Sequence, residues 1–159
     1  MPHLALYQPD IPQNTGTMVR MAACLGVDVH LIEPAGFPIS NSALKRAGMD
    51  YLERARLIRH LNFDTFDNWR QSENRRLLLL TTKSSDSYTN FIFKDSDILL
   101  LGRESSGVPE TVHEGVDARL TIPMAEGLRS INVAISAGMV LGEALRQTDA
   151  FPVTAANAK

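Results

Sequence analysis

Two apolar runs of strand length constrain this chain most, Leu77-Leu78-Leu79-Leu80 and Ile98-Leu99-Leu100-Leu101. Apolar residues at successive positions face both sides of a strand, so both runs require burial on two faces, as in a parallel sheet covered by helices. The second run stops at Gly102-Arg103-Glu104-Ser105-Ser106-Gly107-Val108-Pro109. A shorter one, Leu120-Thr121-Ile122, stops at Pro123-Met124-Ala125-Glu126-Gly127-Leu128-Arg129-Ser130 ahead of a long helical pattern. Open α/β sheets place ligands in loops at the carboxyl ends of buried strands. These two loops are therefore expected to form one small-molecule pocket.

The rest of the chain fits the same frame. His3 to Tyr7 reads as a short buried strand ended by Gln8-Pro9-Asp10-Ile11-Pro12. Asn14 is the expected N-cap of a helix carrying Met18, Met21, Ala22 and Leu25, with Gly26 as its stop. Arg20 then falls near the start of that helix, where a cation opposes the dipole. Val29 to Ile32 predicts a second strand, and Ser40 or Asn41 a cap for a short helix around Leu44 to Gly48. Phe63 to Gln71 predicts a helix whose Phe63, Phe66 and Trp69 are core contacts. Phe91 to Lys94 is expected to add a short edge element. The last helix, to Gln147, is expected to turn Ile135, Met139, Ala144 and Leu145 inward. Its small residues Ala134, Ala137, Gly138 and Gly142 suit close approach of a partner subunit or a crossing segment. Alternating strands and helices give a single α/β domain over residues 1–150, with a largely parallel sheet of five or six strands flanked by helices; residues 151–159 read as a loose tail.

Bulk properties exclude several classes. A chain of 159 residues can bury a full core in one domain, and its single Cys24 cannot form an internal disulfide, which fits a cytoplasmic setting. No run is long enough to span a bilayer, so no membrane association is expected. The formal net charge of −2 argues against a nucleic-acid coat over the whole surface. Locally, Lys45, Arg46, Arg54, Arg56 and Arg59 face only Asp50 and Glu53, which reads either as a solvated face or as a phosphate-tracking surface.

The familiar catalytic motifs are missing. Gly102-x-Glu104-x-x-Gly107 lacks the third glycine of a dinucleotide fingerprint, and there is no Walker pattern, HExxH, CxxC or Gly-x-Ser-x-Gly elbow. His3, His30, His60 and His113 are scattered without ligand spacing, so no metal is expected. Asn14, Arg20, Glu104, Ser130 and Asn132 remain beside the glycine-rich loops. Taken singly, Asn14 and Ser130 read as helix caps, Glu104 as a partner for Arg20 or Arg103, and Asn132 as a loop brace.

Taken together, three ordered stretches resemble the motifs of the SPOUT methyltransferases, in particular the SpoU-like RNA 2′-O-methyltransferases. They are Pro12-Gln13-Asn14-Thr15-Gly16 leading to Arg20, Leu101-Gly102-Arg103-Glu104-Ser105-Ser106-Gly107-Val108-Pro109, and Ile122-Pro123-Met124 leading to Arg129-Ser130-Ile131-Asn132-Val133-Ala134. Ile32-Glu33-Pro34-Ala35-Gly36-Phe37, Arg46-Ala47-Gly48-Met49-Asp50-Tyr51 and Leu80-Thr81-Thr82-Lys83 extend the likeness to the TrmL-type enzymes that methylate the tRNA wobble cytidine or uridine. Leu128 and Arg103 depart from the pattern, standing where a small polar residue and a proline are usual. The resemblance implies a C-terminal trefoil knot, a homodimer, tRNA as substrate and S-adenosylmethionine (SAM) as methyl donor without a metal. It also implies a donor pocket of Leu80, Gly102, Glu104, Ile122, Met124, Leu128 and Ser130. Arg20, Asn14, Glu104 and Asn132 become the catalytic set, with Arg20 facing the donor held by the other subunit. Lys45, Arg46, Arg54 and Arg56 become the tRNA contacts. Methylation at another tRNA or rRNA nucleotide, a non-catalytic RNA-binding protein of the same fold, and a generic nucleotide binder remain the alternatives.

Overall fold

The structure is a computed structural model and describes residues 1–40, 42 and 54–153. Its elements run β1 (His3–Tyr7), α1 (Pro12–Leu25), β2 (Val29–Ile32), β3 (Leu57–His60), α2 (Phe63–Ser72), β4 (Arg76–Leu80), β5 (Asp97–Leu101), α3 (Glu110–Gly115), β6 (Ala118–Leu120) and α4 (Val133–Gln147). A single 3₁₀ turn at Tyr88–Asn90 lies between β4 and β5. The six strands form one sheet in the order β3-β2-β1-β5-β4-β6, and every pairing is parallel. All residues of β1, β2 and β5 are buried, the polar His3, His30 and Asp97 among them, as central strands of a parallel sheet covered on both faces require.

Alternate side chains of these strands supply two cores. On one face Leu4, Leu6, Leu78, Leu99 and Leu101 meet Met18, Val19 and Ala22 of α1 and Ala137, Val140, Leu141 and Ala144 of α4. On the other, Ala5, Tyr7, Leu77, Leu79, Ile98 and Leu100 meet Phe66 of α2 and Val112 of α3. Gly26 ends α1 at φ +68°, and its N–H reaches the carbonyls of Ala22 and Ala23. Asn62 and Thr65 form a reciprocal capping box at the start of α2.

Several expectations are corrected. Helix α1 begins at Pro12, not Asn14; Ile11 is the N-cap and gives no side-chain hydrogen bond, while proline needs no N–H partner in the first turn. Residues Phe91 to Lys94 form no strand. Phe91 and Phe93 pack edge to face, and the Gln147 side chain accepts from the Phe93 N–H and donates to the Phe91 carbonyl. Ile135 and Met139 point outward, 58% and 40% exposed, whereas Ala144 and Leu145 are buried as expected. The small side of α4 receives α1: a Cβ on Gly138 would lie 3.3 Å from the Met21 sulfur. Edge strand β3 is hidden in the sequence by its one arginine, Arg59, within a basic stretch. Arg59 faces outward to Glu33, with Nε donating to Oε1 at 2.7 Å, while His60 turns inward. The helix expected around Leu44 to Gly48 lies outside the described residues.

Three of the four histidines are not scattered in space. His3, His30 and His60 step diagonally across β1, β2 and β3, with 3.0 Å between His3 Nδ1 and His30 Nε2 and 2.9 Å between His30 Nδ1 and His60 Nε2. Trp69 stacks over the row, with its ring centre 4.2 Å from that of His30. Among the described residues, no helix is long and apolar enough to cross a membrane.

Candidate functional site

A cavity of about 510 Å³ opens at the carboxyl ends of β4, β5 and β6. Leu79, Leu80, Leu101, Leu120 and Ile122 give it apolar walls, and the loops after the three strands supply polar residues such as Thr81, Glu104 and Ser130. That combination and size suit a small organic ligand. Of the residues expected here from the sequence, Asn14, Leu80, Gly102, Glu104, Ile122, Met124, Ser130 and Asn132 all line it. Leu128 does not, and its side chain is 69% exposed. The sequence reading did not single out Ile11, Thr81, Thr82, His113, Ile131 and Ser136, which also line the cavity.

The Gly102–Gly107 loop is tight because its ends touch. Arg103 and Gly107 exchange both backbone hydrogen bonds, at 2.9 and 2.8 Å. A Cβ on Gly102 would lie 2.8 Å from the Gly107 Cα, and Gly107 itself has φ +68°. Both positions therefore need glycine.

A chain of polar contacts ties this loop to both ends of the sequence. Asn132 caps α4 by accepting from the Ala134 and Ile135 N–H groups, and its amide donates to Asn14 Oδ1 at 3.1 Å. The Asn14 amide donates in turn to Glu104 Oε1 at 3.3 Å. Glu104 Oε2 accepts from the Asp10 N–H at 3.2 Å, and the Glu104 N–H donates back to Asp10 Oδ1 at 3.2 Å. The Ser105 hydroxyl also donates to Asp10, and the Arg103 guanidinium stands 3.6 Å from it. Burial, followed by contact with Asp10, pushes the Glu104 carboxyl group up. Contact with the Glu104 carboxyl group and the Ser105 hydroxyl holds Asp10 down at about 2.

The single-residue readings are thus rearranged. Asn132, not Ser130, is the helix cap; Asn14 is a bridge; and Glu104 accepts from Asn14 and Asp10. Asp10 was missed, although its place in the loop at the carboxyl end of β1 was a usable signal.

Arg20 is not on this cavity. It is the ninth of fourteen residues in α1, too far along for the dipole penalty expected at the first turn, and its side chain is exposed. Arg54 is exposed. Arg56 stands 3.5 Å from Asp28 and Arg59 pairs with Glu33, so part of the basic excess is neutralised locally. Lys45 and Arg46 lie outside the described residues. Glu110, His113 and Glu114 gather on the six-residue α3 with ligand atoms within 4.8 Å, and both carboxylates are exposed, their oxygens 4.0 and 3.8 Å from His113 Nδ1.

Comparison with known proteins agrees with the motifs. The profile of the SpoU rRNA Methylase family matches residues 1–142. The tRNA (cytidine(34)-2'-O)-methyltransferase of Beijerinckia indica is 60% identical over 148 residues, covering 93% of this chain and 92% of its own. The enzyme of the same name from Escherichia coli is 37% identical, covering 92% and 94%. A structure solved for insight into 2-OH methylation of C/U34 on tRNA superposes with a TM-score of 0.86 at 41% identity, covering 92% of this chain and 95% of that one. An AdoMet-bound rRNA methyltransferase from Sinorhizobium meliloti gives 0.81 at 28% identity, covering 91% and 56%. Motifs, cavity and matches along nearly the whole chain converge: the protein belongs to the SpoU rRNA Methylase family.

Proposed function

We propose that the protein uses SAM to methylate the ribose 2′-hydroxyl of the wobble nucleotide, cytidine or uridine 34, in tRNA. The activity is that of an RNA 2′-O-methyltransferase, and relatives of near-equal length at up to 60% identity carry that name. The observation that carries the reading is the cavity itself, where eight residues expected from the family motifs converge from four separate stretches of chain. Its fit to SAM rests on the apolar walls, which suit an adenine ring, and on the tight Gly102–Gly107 turn that lines the cavity with glycine at both ends.

Bound there, SAM supplies an activated methyl group on a sulfonium that leaves as a neutral thioether, so the protein's task is to orient and activate the hydroxyl. Gly102, Leu80, Ile122, Met124 and Ser130 hold the donor, and Asn14, Glu104 and Asn132 fix the wall beside it. Arg20 completes the site from a second copy of the chain. Its guanidinium stays charged, which suits holding a phosphate and stabilising the forming alkoxide. The outward Ile135 and Met139 of α4, beside the helix that carries Arg20, favour a homodimer through this face. The family's trefoil knot belongs to the same reading, and the setting is the cytoplasm.

The deciding experiment incubates the protein with methyl-labelled SAM and tRNA from cells lacking this gene, then maps the label by nuclease digestion and mass spectrometry. Label on the ribose of nucleotide 34 is the expected result; label confined to another nucleotide overturns the assignment. Gly102→Ala is expected to weaken SAM binding at least about tenfold in calorimetry, because the new methyl group collides with backbone that cannot move aside cheaply. Reversal of Arg54 and Arg56 to glutamate is expected to weaken tRNA binding and reduce the slope of log K against log salt by about two. An unchanged slope would return these arginines to the solvated face.

A further inference from the structure

The reciprocal clamp between Asp10 and Glu104 joins two residues 94 positions apart. Each carboxylate accepts the backbone N–H of the other, so the β1–α1 loop and the β5–α3 loop are locked in register at the wall of the cavity. The chain turns sharply to make this contact. Gln8 takes φ +42°, a left-handed conformation that is unfavourable for a residue with a side chain, and Pro9 follows it. Gly36 gives the loop room, since a Cβ there would come within 2.8 Å of the Asp10 Cβ. Side-chain donors converge on Asp10 from the next loop, from Ser105 and Arg103. Asp10 does not line the cavity, whereas Glu104 does.

We propose that Asp10 is a positioning residue for the methyl-transfer site, a fixed anion that sets the direction of the Glu104 carboxyl group through the reciprocal clamp. The inference rests on the reading of the cavity as the SAM and ribose site. Without Asp10, the Glu104 backbone loses its acceptor and the Arg103 guanidinium its nearest anion. Glu104 would then no longer meet Asn14 in a fixed geometry, and the link through Asn14 to the α4 cap at Asn132 would loosen. Burial, and after it contact with the Asp10 side chain, raise the pKa of the Glu104 carboxyl group.

The test uses the full chain with Asp10→Ala and Asp10→Asn. Asparagine keeps the acceptor oxygen for the Glu104 N–H and removes the charge. In Asp10→Ala, kcat for tRNA methylation is expected to fall at least about twentyfold, with KM for tRNA within about threefold. Asp10→Asn is expected to recover at least a quarter of the wild-type kcat at pH 8 and to move the acid limb of the pH–rate profile to lower pH. Titration of ¹³C-labelled glutamate carboxyls by NMR supplies a readout independent of turnover and of alanine folding. The Glu104 midpoint is expected to fall by at least half a pH unit in Asp10→Asn. An unchanged midpoint, or an alanine variant with wild-type kcat, overturns the inference. Absence of transfer by the wild-type protein would instead strike the functional reading, with the NMR shift still deciding the link between the two carboxyl groups.

Discussion

Replacement of Arg20 by alanine is expected to lower methyl transfer by roughly 10²- to 10³-fold while SAM affinity stays within about threefold. The asymmetry follows from position. Arg20 is exposed on α1 and does not line the cavity of its own chain, so its loss leaves the donor-holding loops untouched. A permanently charged guanidinium stabilises charge that develops only as the hydroxyl attacks, and its removal therefore appears in kcat. Arg20→Lys is expected to recover only part of the loss, because an ammonium cannot offer the same fork of donors. Subunit mixing sharpens the test. If the arginine serves the partner's cavity, mixing Arg20→Ala with Gly102→Ala restores roughly a quarter of wild-type activity through heterodimers with one intact site. A large loss of SAM binding in Arg20→Ala, or no recovery on mixing, would place the arginine elsewhere.

The second large effect is acid lability, arising from the buried histidine row. Burial is the leading cause that lowers His3 to about 4 and His30 to about 3, and it lowers His60 as well. The nearby charges are mixed: Asp28 raises His3, whereas Arg75, Arg56 and the N-terminus lower it, and Arg75 also lowers His30. All three rings are neutral at pH 7 in the folded chain. Neutral rings can share one N–H across each contact, whereas two protonated neighbours would set N–H against N–H across about 3 Å. The unfolded chain begins to take protons near pH 6.5, whereas His3 and His30 in the folded chain do not until about pH 4 or below. Stability contributed by the row is therefore complete above about pH 6.5 and is lost as the pH falls toward 4. Each histidine held neutral costs about 1.4 kcal/mol per pH unit in that window, so His3 and His30 together cost roughly 3. Urea denaturation between pH 7.5 and 4 is expected to show this slope. A flat profile down to pH 4.5 would mean that the row is open to water or shares its protons freely.

Much of the frame was legible in the sequence because parallel strands buried on both faces have an unmistakable composition. Leu77 to Leu80 and Ile98 to Leu101 are such strands, and the loops after them hold the site. Strand β3 was not legible, since an edge strand with one charged outward position looks like any basic surface segment until Glu33 is seen beside Arg59. The six-residue α3 is too short to show a helical period. Ile135 and Met139 have helical spacing with the buried positions of α4 yet point away from the core, because periodicity does not distinguish the covered side from one available to a partner. The motif residues were legible as a set, but their roles were not: which asparagine caps, which bridges, and that an aspartate 94 residues upstream holds Glu104 are facts of three-dimensional register. The histidine row was invisible for the same reason, its members being 27 and 30 residues apart in the chain.

The position of β1 has a consequence for how the molecule comes into being. Strand β1 lies between β2 and β5, and its contact with β5 joins His3 to Ile98 and Leu6 to Leu101. The middle of the sheet cannot close until the chain has been synthesised past Leu101, and closure over such a separation carries an entropic cost that local helices do not share. Until then Leu4 and Leu6 have only β2 beside them, and the open edge of β1 is the surface that a chaperone, or an unwanted neighbour, meets first.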